Sequence, residues 1–263
     1  MLLKDKIAVV YGAGGAIGGA VAQAFAAEGA TVFATGRRYA PVELVTKEIV
    51  AAGGSAEATE LDALDGQAVE AHLRTVVERA GRVDISFNAV GLPDAPILGT
   101  PMAELDVETF LQPVTDYARA YFQTATAAAR QMLPKGSGVI MTVTALPARS
   151  GSTLNGGYGP AAAAKEALTR DLSAELAPHG IRVVGLRPHG LPETPSLREV
   201  FEAKAPALGL SWEQFQDYLA GTNHARRTMK LREVADLAVF MASDRASGMT
   251  GTNVNLSMGR LDD

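Results

Sequence analysis

The sequence of 263 residues contains no cysteine, which removes disulfides, thiolate nucleophiles and Cys-ligated metals from consideration. Its 4 histidines, His72, His179, His189 and His224, are scattered without ligand spacing, so no metal site is expected. No stretch approaches the ~18 uninterrupted apolar residues of a membrane span, and the run Ile7 to Val10 is too short for a signal-peptide core. A cytoplasmic protein with no membrane partner is the expectation. With 24 Lys+Arg against 29 Asp+Glu the net charge is -5, and no basic block could condense on a phosphate backbone. Nucleic acid is therefore excluded as an expected partner. There is no internal repeat, low-complexity tract or Ser/Pro-rich linker, so the chain reads as one domain over residues 1–263. A content of 47% hydrophobic and 20% charged residues, with 27 Gly and 13 Pro, is too apolar for disorder and too interrupted for a coiled coil.

What is present is an alternation. Short β-rich runs exchange with longer Ala-rich segments: strands at 6–11, 31–35, 56–61, 83–89, 138–144, 181–186 and 252–256, and helices at 16–28, 42–52, 67–80, 107–133, 160–176 and 231–241. The fourth helix is long, and a break near Pro113 is expected as an alternative to one continuous helix. Most strands are continuous apolar runs such as Ile-Ala-Val-Val, the pattern of a parallel sheet covered on both faces. The fold class is thus α/β, a doubly wound (Rossmann) parallel sheet of seven strands with helices on both faces. Residues 192–229 interrupt the rhythm. They contain Phe201, Trp212, Phe215 and Tyr218 and read as one or two helices inserted as a lid.

Between the first strand and helix lies Tyr11-Gly12-Ala13-Gly14-Gly15-Ala16-Ile17-Gly18-Gly19. Glycines at this place allow a tight turn and let backbone approach a pyrophosphate, while the helix N-terminus offers N–H donors and partial positive charge. Gly12, Gly15, Ala16, Ile17 and Gly18 are accordingly candidate nucleotide-binding residues. With this loop, Leu61-Asp62-Ala63, Phe87-Asn88-Ala89-Val90-Gly91, the stretch 175–183 and Gly251-Thr-Asn-Val-Asn-Leu256, the chain resembles a short-chain dehydrogenase/reductase over essentially its whole length. Gly12-x-x-x-Ala16-x-Gly18 departs from the common glycine pattern by one methyl. Val90 stands where that family usually has Gly. The resemblance implies a nicotinamide cofactor contacted by Asp62, Ala63, Asn88, Ala89, Val90 and Pro188. Read without it, Asp62 caps a turn and Asn88 satisfies backbone at a strand end.

At the exit of the second strand the run is Ala34-Thr35-Gly36-Arg37-Arg38. An acid there would bind a ribose 2′-OH and repel a 2′-phosphate. Gly36 occupies the position of that acid, and Arg37 and Arg38 can fork onto a phosphate, so the expected cofactor is NADP(H). As the bland alternative, the two arginines form a solvated face.

Carbonyl reduction needs a proton donor at the developing alkoxide, and a Tyr serves near neutral pH only if a cation stabilises its phenolate. The resemblance implies a Tyr, a Lys four residues on, a Ser before them and an Asn further back. Tyr158 is in place, but Ala162 holds the Lys position, Ala145 the Ser position with Thr144 adjacent, and Tyr117 the Asn position beside Asp116. Lys165 follows Tyr158 by seven, a spacing similar to that of the enoyl-thioester reductase branch. Seven helical residues rotate ~700°, returning Lys165 to within ~20° of the face carrying residue 158 at ~10.5 Å of rise. Side chains lean toward the helix N-terminus, so Tyr158, Lys165 and Thr144 are the candidate catalytic residues, with Tyr158 just outside the regular helix that Pro160 opens. Two readings follow: an NADP(H)-dependent oxidoreductase acting on a carbonyl, alcohol or activated enoyl, or a catalytically degenerate NADP(H)-binding regulatory protein. His189 within Pro188-His189-Gly190 reads as a loop residue making backbone hydrogen bonds, or as a substrate contact. The Ala-rich faces at 124–129 and 161–164 permit close helix approach. In the family resembled, such helices build a homodimer or homotetramer.

Overall fold

The computed structural model describes residues 1–91 and 97–262. Seven strands, β1 (Ile7–Tyr11), β2 (Thr31–Gly36), β3 (Ser55–Glu60), β4 (Ile85–Asn88), β5 (Gly138–Val143), β6 (Ile181–Pro188) and β7 (Thr252–Leu256), form one sheet in the order β3-β2-β1-β4-β5-β6-β7. Every pairing is parallel. The chain order reverses between β1 and β4, so a crevice opens at the carboxyl ends of those two strands.

The helices are α1 (Ala16–Ala27), α2 (Tyr39–Ala51), α3 (Gly66–Ala80), α4 (Val107–Met132), α5 (Tyr158–Leu176), α6 (Pro195–Leu208), α7 (Trp212–Thr222) and α8 (Leu231–Ala242). On one face of the sheet Ala8, Val10 and Val32 pack with Val21, Phe25 and Ala238 of α1 and α8. On the other, Val9, Tyr11 and Ile140 pack with Leu73, Tyr121 and Leu172 of α3, α4 and α5. Period-2 alternation is absent from the inner strands because both faces are buried. The edge strand β3 carries two exposed ends and an intermediate middle, which explains how Glu57 and Glu60 are tolerated there.

Pro113 does not break α4, which is continuous over Val107–Met132 with the proline buried inside it. The helix holds because its proline turn packs against the start of α5: a Cβ on Gly157 would lie 2.0 Å from the Phe110 carbonyl oxygen and 3.0 Å from Pro113 Cγ. Glycine at 157 is thus required by the close approach. Helix α5 also begins earlier than Pro160, with Tyr158 as its first residue, so this side chain is fixed by helical geometry and not by a loop. Residues 192–229 form two helices, α6 and α7, joined through Phe201, Trp212 and Phe215, whose ring centroids are 5.2, 5.3 and 6.0 Å apart.

Candidate active site

Gly12 leaves β1 at φ +77, and a Cβ there would meet the Ala89 carbonyl oxygen at 2.5 Å; a Cβ on Gly18 would meet the Gly12 carbonyl oxygen at 2.2 Å. Only glycine allows the loop to close simultaneously on the β4 exit and on α1. Gly15 is the N-cap of α1 without a side-chain hydrogen bond, and the first helical turn, which opens with Ala16 and Ile17, contains no acid. Its amides and dipole thus face the crevice uncompensated by any carboxylate, as an anion requires. Three residues beyond β4, no atom of the described residues comes within 4 Å of where a Cβ on Gly91 would stand. These features fit a dinucleotide, whose pyrophosphate the N-terminus of α1 would hold.

The remaining nucleotide candidates divide. Asn88 is buried and donates from Nδ2 to the Ala120 carbonyl at 3.2 Å and to Thr124 Oγ1 at 2.9 Å, so its amide ties β4 to α4. Asp62 Oδ1 accepts from the Leu64 amide at 2.9 Å, capping the turn before α3 beside the buried Ala63. Arg37 and Arg38 are exposed at the β2 exit. Sequence reasoning missed Glu60, paired in register with Gly36, whose carboxylate accepts from the Tyr39 amide at 3.2 Å and caps α2. The signal was an acid ending the strand next to the arginines.

A cavity of about 680 Å³ runs from Ile17, Ala89 and Val90 past Thr144, Tyr158, Lys165 and Pro188 to the inner faces of α6 and α7. Tyr158 stands edge-on to Tyr117, with ring centroids 5.9 Å apart at 76°. Lys165 Nζ lies 5.7 Å from the Tyr117 centroid and 5.8 Å from that of Tyr121, and donates to the Val143 carbonyl at 2.6 Å. Tyr117 therefore touches both members of the expected pair. Lys165 is buried, which pushes its ammonium down to about 7, while the two π faces and the carbonyl favour the charged form.

Thr144 is placed differently from a substrate-facing hydroxyl. Its Oγ1 donates toward Glu166 Oε1 at 3.1 Å and the Leu186 carbonyl at 3.3 Å, so its proton is directed into the protein. Glu166 in turn receives Arg187 Nε at 2.6 Å and Nη2 at 3.1 Å, with both side chains at most 4% exposed. The ion pair lies between β6 and α5 beneath the cavity wall. A second arginine near the end of a mostly apolar strand, Arg187 after Arg182, was its sequence signal.

His189 Nε2 is buried and has no hydrogen-bond partner among the described residues, contrary to a loop histidine with ordinary backbone bonds. Burial and the nearby Arg260 push His189 down to about 4, and burial alone does the same to His72. Both stay neutral in the folded protein where the unfolded chain, near 6.5, takes up protons. Stability should thus fall as the pH drops from about 6.5 to 4, by roughly 1 to 3 kcal/mol per imidazole. Urea midpoints compared at pH 7 and 5 check this; a His72→Gln/His189→Gln variant should show a flatter dependence.

A family model described as Enoyl-(Acyl carrier protein) reductase matches residues 12–260. The chain is 32% identical over 258 residues to Short-chain reductase protein NovJ of Streptomyces niveus, covering 98% of this chain and 94% of that protein. Among solved structures, NAD+-bound xylitol dehydrogenase superposes with a TM-score of 0.88 at 24% identity, covering 97% of this chain and 99% of that one. A protein from Beutenbergia cavernae described as an NAD(P) dependent gluconate 5-dehydrogenase, with bound NADP at low occupancy, is 30% identical with a TM-score of 0.83, covering 98% of this chain and 97% of the other.

Proposed function

The chain belongs to the short-chain dehydrogenase/reductase family of oxidoreductases, and on that footing we propose that it is an NADP(H)-dependent enzyme acting on a carbonyl, its alcohol or an activated enoyl of a small molecule. The observation that carries this reading is the convergence of Tyr158 and Lys165 on the Tyr117 ring, in the wall of a cavity that begins at the glycine loop. Bound in the crevice, the nicotinamide would supply or accept the hydride. Tyr158 donates the proton from its hydroxyl to the oxygen that becomes an alcohol, and Lys165, seven residues on, stabilises the phenolate left behind. The Val143 carbonyl and the faces of Tyr117 and Tyr121 hold the ammonium, replacing the fixation lost with Ala162 and Ala145. Thr144 acts at one remove, bonded to the Glu166–Arg187 pair that fixes α5 against β6. The two helices over residues 192–229 close the cavity as a lid. A cytoplasmic homodimer or homotetramer is part of the same reading.

The cofactor preference rests on Arg37 and Arg38. Two guanidiniums outweigh Glu60, whose carboxylate already caps α2. NADPH should bind more tightly than NADH, and Arg37→Ala should lose roughly 1 to 3 kcal/mol for NADPH alone. Calorimetric titration with both nucleotides checks it; equal affinities would rule out recognition of the 2′-phosphate.

A further inference from the structure

The cavity-facing positions of α6 include Leu197, Val200, residue 204 and, at the exposed end of the helix, Leu208, at intervals of three, four and four. A helix covering an apolar cavity calls for an apolar residue at each of these positions. The third is Lys204. Its side chain is 7% exposed, lines the cavity that also contains Tyr158, and has no hydrogen-bond or ion-pair partner among the described residues. Gly99 approaches the preceding residue of α6 closely, since a Cβ there would lie 2.5 Å from the Ala203 carbonyl oxygen.

A lysine whose stem is buried and whose ammonium finds no protein partner is costly, and such groups persist where a ligand completes them. Burial lowers Lys204 to about 8, which leaves it mostly protonated at neutral pH. Among the described residues the charged groups lining the cavity are Lys165, Lys204, Arg260 and Glu199. This is a positive balance inside a chain whose net charge is -5. The same helices α6 and α7 also contribute apolar lining in Leu197, Val200 and Leu219.

We propose that Lys204 is a substrate-recognition residue: the molecule reduced in this cavity carries an anionic group, carboxylate or phosphate, on an apolar skeleton, and Lys204 binds that group while the carbonyl lies at Tyr158. The inference rests on the cavity being the substrate site of the proposed enzyme. It assigns Lys204 to specificity and leaves the proton and hydride steps to the groups already described.

Binding without turnover tests it. The protein saturated with NADP+ is titrated by calorimetry with octanoate, octyl phosphate and the neutral octanamide. One or both anions should bind about tenfold or more tightly than octanamide, the range for a charge-assisted hydrogen bond in a desolvated site, and their ratio distinguishes carboxylate from phosphate. Lys204→Met, which suits the apolar stripe, should erase the preference, and Lys204→Arg should retain it. Equal binding of octanamide and both anions to the parent protein would overturn the proposal. So would a Lys204→Met variant that keeps the anion preference, or one that loses NADP+ affinity instead, which would make the lysine a cofactor contact. A protein that binds octanoate through Lys204 but transfers no hydride would contradict the oxidoreductase reading alone. One that reduces carbonyls with no preference for anionic substrates would contradict this inference alone.

Discussion

Tyr158→Phe is expected to lower kcat on the order of 10²-fold or more while leaving NADPH affinity unchanged. The substitution keeps the ring that packs edge-on against Tyr117 at 5.9 Å and removes only the hydroxyl that carries the proton to be donated. Packing and cavity shape should therefore survive, and the loss should appear in the chemical step. Lys165→Ala should cause comparable damage by removing the charge that favours phenolate. Because Lys165 reaches the site from one turn later than is usual, a double variant combining Lys165→Ala with Ala162→Lys separates charge from position. Recovery of rate would mean that a lysine at either place serves. No recovery would mean that the wall formed by Val143, Tyr117 and Tyr121 is built around the seven-residue spacing. Rates measured at saturating NADPH, with nucleotide affinity determined separately for each variant, distinguish these outcomes.

Glu166→Ala is expected to destabilise the protein by about 1 to 3 kcal/mol, since it removes a buried bidentate carboxylate from the Arg187 guanidinium. That is a sizeable part of the ~5 to 15 kcal/mol that holds a typical domain together. The pair is at most 4% exposed, so water cannot replace the carboxylate. Thr144 Oγ1 also loses one of its two acceptors. Glu166→Gln, which keeps an acceptor oxygen for the guanidinium, should recover part of the loss. Urea unfolding of the two variants provides the comparison; a Glu166→Ala variant as stable as the parent would show that the pair contributes little.

The fold was legible because its signals are redundant. Six strand–helix alternations, the glycine loop after β1 and the apolar strands each imply a parallel doubly wound sheet, and an error at one boundary does not disturb the others. The boundaries that moved did so for local reasons. Helix α5 starts at Tyr158 because Gly157 must pass against Pro113, a tertiary contact with no trace in either local sequence. Pro113 stays helical for the same reason. Arg37 and Arg38 could be read from the strand exit, whereas Glu60 comes to that edge through the register of β2 with β3. Tyr158 and Lys165 could be placed on neighbouring faces of one helix from spacing alone. Their common neighbour Tyr117 lies on α4, and the partners of Thr144 come from α5 and β6; only the packed structure unites them. Lys204 was hidden for another reason. A lysine in a helix is ordinarily a solvated residue, and it becomes informative only once the stripe it interrupts is known to face a cavity.

The most direct test of the whole account is the oxidation of NADPH by the parent protein in the presence of ketones, quinones and enoyl thioesters, including acceptors that bear a carboxylate, with Tyr158→Phe as the background. The account predicts oxidation with at least one acceptor, faster with NADPH than with NADH and largely abolished by the substitution. Tight NADPH binding with no oxidation above the Tyr158→Phe background would contradict it, and would leave a nucleotide-binding protein in which Tyr158 and Lys165 are structural.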